Sequence, residues 1–188
     1  MAARLKTNQE QLLNETITDA LTGLYNFRYF QSYLKNEIKR AARYGHPFAL
    51  LIADIDFFKN FNDQNGHQMG NVILKQVAGI LKECLREDSF IGRYGGEEFV
   101  IILPETDAQG ARSAAEHLRK TIEQSVFPGE DKHPSGRLTV SVGGACFPSD
   151  SHVAAQLIEK ADRALYAAKR SGRNRAVWCA ETEPLETV

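Results

Sequence analysis

From Phe27 to about Tyr44, apolar residues recur at helical spacing, with Phe27, Phe30, Leu34 and Ile38 on one face. Asn26 stands where an N-cap belongs. The run "PFALLIADID" (47–56) is continuously apolar between Pro47 and Asp54, which predicts a central strand buried on both faces. "FFKNFNDQNGHQMG" then predicts a short helix and a turn. In "NVILKQVAGILKECLRE" (71–87), Val72, Leu74, Val77, Ile80, Leu81 and Leu85 form the apolar stripe of a long helix. Strands at 89–93 and 98–103 flank a glycine turn, and a helix over 107–125 starts on Asp107 as its cap. A loop, "FPGEDKHPSG" (127–136), leads into "RLTVSVGGACF" (137–147), whose alternation predicts a strand with a bulge at its two glycines. An Ala-rich helix over 153–170 and a last strand over 174–179 follow. This order predicts an α+β fold, a mostly antiparallel central sheet flanked by helices. Residues 1–18 read as a leader or stalk helix. Leu5 and Leu12 are seven apart, the end of a coiled coil or a solvated helix. One domain over 19–179 and a disordered acidic tail over 180–188 complete the division.

The 188 residues suffice for a sizeable core without staples. Hydrophobic residues make up 43% and charged residues 25%, as in soluble globular proteins. A net charge of −1 points to neither nucleic acid nor an acidic membrane surface. Cys84, Cys146 and Cys179 lack metal-ligand spacing and read as reduced, mostly buried thiols of a cytoplasmic protein. No apolar run approaches the ~20 residues that span a bilayer.

Candidate chemistry lies in two acidic stretches. Asp54 and Asp56 end the buried strand, where a carboxylate is costly unless paired or bound to metal. Asp56 is expected to cap the following helix; Asp54 has no such role. "RYGGEEF" (93–99) joins two strands through Gly95 and Gly96, which accept the positive φ of tight hairpin turns. Glu97 at that turn and Asp54 at a neighbouring strand end are candidates to share one divalent cation, Mg²⁺ or Mn²⁺. Such an ion is usually held by one or two carboxylates plus substrate phosphates. Cationic partners for a phosphate are Lys59 and, in "AKRSGRNR", Lys169, Arg170, Arg173 and Arg175. The latter equally suit a helix C-terminus.

Six motifs, in order, carry a resemblance: "DALTGLYN" (19–26), "DIDFFKNFND" (54–63), "GHQMGN" (66–71), "RYGGEEF" (93–99), "SVGGA" (141–145) and "ADRALYAAKRSGRNR" (161–175). Together they resemble the GGDEF family, the diguanylate cyclases, over residues 19 to 178. The resemblance implies a palm fold like that of class III nucleotide cyclases and polymerases. It also implies condensation of two GTP molecules, one on each subunit of a homodimer, into cyclic di-GMP with release of two pyrophosphates. By the same resemblance Asp54, Glu97 and the carbonyl of Ile55 hold magnesium, and Phe57, Phe58 and Lys59 form the phosphate-binding turn. Lys169 and Arg173 clamp the γ-phosphate, and Asn62 reads the guanine edge. Gly95 and Gly96 let the nucleotide lie against the backbone. Glu98 supports the site and helps the 3′-hydroxyl lose its proton. Asp63 and His67 read as scaffold. No nucleic acid or membrane contact is implied. A degenerate module that binds GTP or cyclic dinucleotide without turnover is the alternative, and the intact Asp54, Lys59, Glu97, Lys169 and Arg173 favour the enzyme. A mononucleotide cyclase would share the palm but not these motifs.

The chain departs from the family pattern twice. Asn71 stands where an aspartate usually accepts two guanine donors. An amide offers one acceptor and one donor, and forfeits a charge-assisted bond of about 1.5–3 kcal/mol. Adenine matches an amide, so the expected substrates are GTP or GTP together with ATP. Some family members replaced at this position make cyclic GMP–AMP. The second departure is "REDS" (86–89), where the family often has an RxxD product-inhibition site. Asp88 comes one position early, so feedback through Arg86 is expected to be weak or absent.

Overall fold

The computed structural model describes residues 17–179. The expected leader helix and acidic tail lie, apart from Ile17 and Thr18, outside the described residues. The elements run α1 (Phe27–Tyr44), β1 (Phe48–Ile55), α2 (Phe58–Asn65), α3 (His67–Cys84), β2 (Phe90–Arg93), β3 (Glu98–Pro104), α4 (Ala108–Gln124), β4 (Val140–Phe147), α5 (Ala154–Arg170) and β5 (Ala176–Trp178). A 3₁₀ turn, Glu130–Lys132, lies in the loop before β4. The sheet order is β2-β3-β1-β4-β5. All pairs are antiparallel except β4 with β5. This is the α+β, mostly antiparallel architecture that the order of elements predicts.

All eight residues of β1 are buried. Leu51 and its odd-numbered neighbours join a core with Ile73, Val77, Leu118 and Ile122 of α3 and α4. Phe48, Leu50 and Ile52 join a second core with Phe30, Leu34, Leu157 and Leu165 of α1 and α5. A strand covered on both faces has no polar side to show, hence its unbroken apolar run. Each such side chain contributes about 1.5–3 kcal/mol of burial.

The expected caps are present. Asn26 accepts the amide of Tyr29 at 3.0 Å, and Asp107 that of Gly110 at 2.8 Å. Three expectations need correction. Phe27 is 40% exposed: at the first turn of α1 its ring meets the edge of Tyr94 at 5.1 Å and the Phe30 ring at 6.2 Å, and its remaining face is left to solvent. The long helix begins at His67 and ends at Cys84, with Val72 on its solvent side. Gly66, at φ 82°, breaks the chain between α2 and α3, so the helix starts before its apolar stripe does. Finally, β4 has no bulge: its register with β1 is continuous from Phe48↔Phe147 to Ile55↔Val140. Gly143 and Gly144 instead let neighbours approach. A Cβ on Gly143 would lie 2.2 Å from the carbonyl oxygen of Ala161, so α5 packs on bare backbone. A Cβ on Gly144 would lie 2.4 Å from the Trp178 ring.

Candidate active site

Four charged side chains meet at one end of the sheet. Asp54, 5% exposed, is opposite Glu98 in the β1–β3 register, and Ile55 N–H donates to the Glu97 carbonyl at 3.3 Å. From the last turn of α5, Lys169 Nζ reaches Asp54 Oδ2 at 2.8 Å. Burial pushes the Asp54 carboxyl up to about 6; Lys169 opposes the rise, and Glu97 and Glu98 add to it. Asp54 is therefore a desolvated carboxylate beside two more, a surplus of negative charge that one lysine does not neutralise. On the same side of the sheet burial raises Asp162 of α5, and Glu98 raises it further.

The β2–β3 turn is held from outside. The Arg93 guanidinium donates to the Gly96 carbonyl at 2.7 Å and forms an ion pair with Asp19 at 3.2 Å. Asp19 in turn accepts the Thr22 amide and hydroxyl at 2.9 and 2.7 Å. The "DALTG" stretch thereby supports the glycine turn, a link that no spacing rule reveals because the partners are 74 residues apart. The glycines' expected role changes: neither Gly95 nor Gly96 has positive φ. A Cβ on Gly96 would meet nothing within 4 Å, and one on Gly95 would sit 3.1 Å from Glu98 Oε2. What they provide is open backbone rather than unusual torsion.

Asp56 does not cap α2, whose N-cap is Phe57 without a side-chain bond. Its carboxylate is 1% exposed and accepts from Thr139 Oγ1 and Ser141 Oγ, each at 2.7 Å, and from the Asn174 amide at 3.1 Å. Past Ile55 the chain leaves the strand, so the two acids diverge to different partners.

Phe57 takes the left-handed conformation at φ 53°, which costs a non-glycine residue on the order of 1 kcal/mol. Phe58 is buried and Lys59 exposed, and α2 begins there with first-turn amides that a helix leaves unpaired. The Arg173 guanidinium lies 4.3 Å from the Phe57 ring centroid, close enough for a cation–π contact. Asn62, on α2, has a buried Oδ1 with no partner. A Cβ on Gly70 would fall 1.9 Å from that oxygen, so only glycine there lets the amide sit. Asn71 follows as the fifth residue of α3, exposed.

Arg86 is elsewhere. Its Nη2 donates to the Pro104 carbonyl at 2.6 Å and to Thr106 Oγ1 at 2.9 Å, at the opposite end of β3 from Glu98. That is ~20 Å along the strand. Asp88 pairs with its Nε at 3.5 Å. Cys146 is buried, whereas Cys84 and Cys179 are only half-buried; none of the three is in a disulfide. Among the described residues no helix is long and apolar enough to cross a membrane.

Residues 16–175 match the family model described as diguanylate cyclase, GGDEF domain. Diguanylate cyclase A of Treponema denticola is 38% identical over 176 residues, 92% of this chain and 47% of that protein. Response regulator PleD of Caulobacter vibrioides is 38% identical over 173 residues, 92% of this chain and 38% of that protein. The chain thus spans less than half the length of these relatives. The solved coiled coil and GGDEF domain of DgcB from Caulobacter crescentus, in complex with c-di-GMP, superposes with a TM-score of 0.84 at 34% identity. It covers 94% of this chain and 93% of that one. The active GGEEF domain of a Vibrio cholerae diguanylate cyclase gives a TM-score of 0.75 at 31% identity, covering 84% and 98%.

Proposed function

The chain belongs to the GGDEF family of diguanylate cyclase domains, and on that premise we propose that it joins two GTP molecules into cyclic di-GMP with release of two pyrophosphates. The observation that carries the proposal is the desolvated Asp54 carboxylate, paired with Lys169 and flanked by Glu97 and Glu98.

The donor set suits a hard divalent cation. Among the described residues no group of three His, Cys, Asp or Glu side chains is placed to cage a metal. Two carboxylates with a backbone carbonyl match an ion that keeps its remaining sites for phosphate and water. Asp54, Glu97 and the Ile55 carbonyl would hold it. Bound there, magnesium would neutralise triphosphate charge and offset the Glu97 and Glu98 repulsion that adds to burial in raising Asp54.

The chain's own groups do the rest. The β- and γ-phosphates lie against the amides of residues 57–59, with Lys59 and Arg173 beside them. Lys169, at the last turn of α5 beside Asp54, is within the same site to serve the γ-phosphate. Glu98 takes the proton of the 3′-hydroxyl as that oxygen bonds to the α-phosphorus of the opposing nucleotide. The bond to pyrophosphate breaks in the same displacement, and the step repeats between the other 3′-hydroxyl and the other α-phosphorus, closing the second phosphodiester and releasing the second pyrophosphate. Each copy holds one nucleotide, so turnover needs a homodimer. Three cysteines outside any disulfide, together with the nucleotide chemistry, support a cytoplasmic setting.

Base choice rests on Asn62 and Asn71. The unpartnered Asn62 Oδ1 supports a base-edge contact. Asn71 lacks the charge that favours guanine, which supports cyclic GMP–AMP as a second product when ATP is present. The product test is incubation with Mg²⁺, GTP and ATP followed by chromatographic separation. Cyclic di-GMP together with cyclic GMP–AMP is expected. Cyclic di-GMP alone would end relaxed base choice, and the absence of any cyclic dinucleotide would favour a binding module over an enzyme.

A further inference from the structure

We infer that Asp56, His133 and Asn174 form a buried brace that fixes the triphosphate-binding groups, with His133 a positioning residue supplied by a loop outside every recognised motif. The inference rests on the cyclase reading and adds residues to it.

Four non-glycine residues in the described chain have positive φ, and three of them, Phe57, Arg173 and Asn174, surround Asp56. Left-handed non-glycine residues persist only where their surroundings over-determine them, so the contacts there matter. His133 is 4% exposed, and its Nε2 lies 2.8 Å from the Asp56 carbonyl oxygen. A carbonyl only accepts, so Nε2 carries the proton. Nδ1 faces the Ser135 hydroxyl at 2.8 Å, which fixes the ring from behind. The imidazole also meets the Phe57 ring at 5.8 Å and 73°. Phe57 is thus in contact with His133 and with the Arg173 guanidinium.

The Asp56 carboxylate completes the link. It accepts the amide of Asn174, the residue after Arg173. The Asn174 side chain is itself held by Arg119 at 2.6 Å and Glu123 at 2.7 Å, both on α4. One acid therefore fixes, through its main chain, the turn whose amides face phosphate, and through its side chain, the loop that carries Arg173. Groups of this kind act only when held to about half an ångström. Without the His133 donor the buried Asp56 carbonyl loses its partner, and the 56–57 peptide is free to rotate and turn its amides away.

The test is steady-state kinetics with Mg²⁺ and GTP on wild type, His133→Leu and His133→Gln, alongside titration with a non-hydrolysable GTP analogue and Mg²⁺. Losing one buried hydrogen bond is expected to raise the GTP KM and the analogue Kd of His133→Leu about tenfold, with kcat within about threefold. His133→Gln, whose amide places a donor at the same reach, should return both constants to within about twofold of wild type. A merely structural histidine would lower thermal stability in both variants and leave KM and Kd unchanged, and that result overturns the brace. Should His133→Leu not fold, Asn174→Gly keeps the left-handed backbone while cutting the tie to Arg119 and Glu123. The same rise is expected, and an unchanged Kd overturns the proposal. A wild type that binds the analogue without turnover refutes the cyclase reading alone, since the Kd comparison still decides the brace. A wild type that does neither refutes both.

Discussion

Asp54 and Asp56 stand two residues apart on one chain, and their surroundings oppose each other. Asp56 is enclosed by three neutral donors. Asp54 has one lysine against it; burial first, then two neighbouring carboxylates, push its carboxyl up to about 6. A satisfied buried acid holds a fold together. One left short of positive charge stores an affinity for a cation. The difference between scaffold and chemistry is here a difference in hydrogen-bond inventory, not in residue type.

Substitution separates the two acids most sharply. Asp54→Asn is expected to lower turnover by at least about a thousandfold, the scale of losing metal and charge stabilisation. Its fold should not suffer. A carboxyl raised from 3.8 to about 6 favours the protonated form in the native state, so its ionisation costs stability, and above pH 6 that cost is complete. A neutral amide removes it. The metal-free variant should melt at or above the wild-type temperature at pH 7, measured by calorimetry, and a clearly lower Tm would place Asp54 with the scaffold. Asp56→Ala should do the reverse, losing about 3 kcal/mol in denaturant unfolding because Thr139, Ser141 and Asn174 lose their shared acceptor. A loss below ~1 kcal/mol would erase the distinction.

Acid titration sharpens the contrast by a smaller margin. Below about pH 6 a proton competes for Asp54, so the apparent Mg²⁺ requirement of turnover should rise about tenfold per pH unit. A requirement unchanged from pH 7.5 to pH 5 would contradict the assignment. The smallest effect belongs to Arg86, whose guanidinium is committed to Pro104 and Thr106. Arg86→Ala should change product inhibition by less than about twofold. A sub-micromolar product affinity that disappears in this variant would overturn that reading.

The sequence displays this fold wherever a single element decides its own environment. The unbroken apolar run of β1 declares burial on both faces, and Asn26 and Asp107 cap as local rules require. It is silent where partners are remote. The donors to Asp56 lie 83, 85 and 118 residues away, so the local sequence around it predicts only a helix cap. The two glycine pairs show the same limit. Gly143–Gly144 reads as a bulge but admits α5 and Trp178, and Gly95–Gly96 reads as a torsional turn but leaves backbone open. Tertiary approach, not local propensity, explains both. His133 carries no local signal at all, because its donor role exists only once the loop folds against Asp56.

The most direct test of the central assignment is Mn²⁺ binding, read by electron paramagnetic resonance in the presence of a non-hydrolysable GTP analogue. Wild type, Asp54→Asn, Glu97→Gln and the double variant would be compared. If the two carboxylates hold one ion, each single variant abolishes the tight site and the double variant loses no more than either alone, the non-additivity of residues acting as a unit. Tight, nucleotide-dependent Mn²⁺ binding that survives either single substitution would contradict the account.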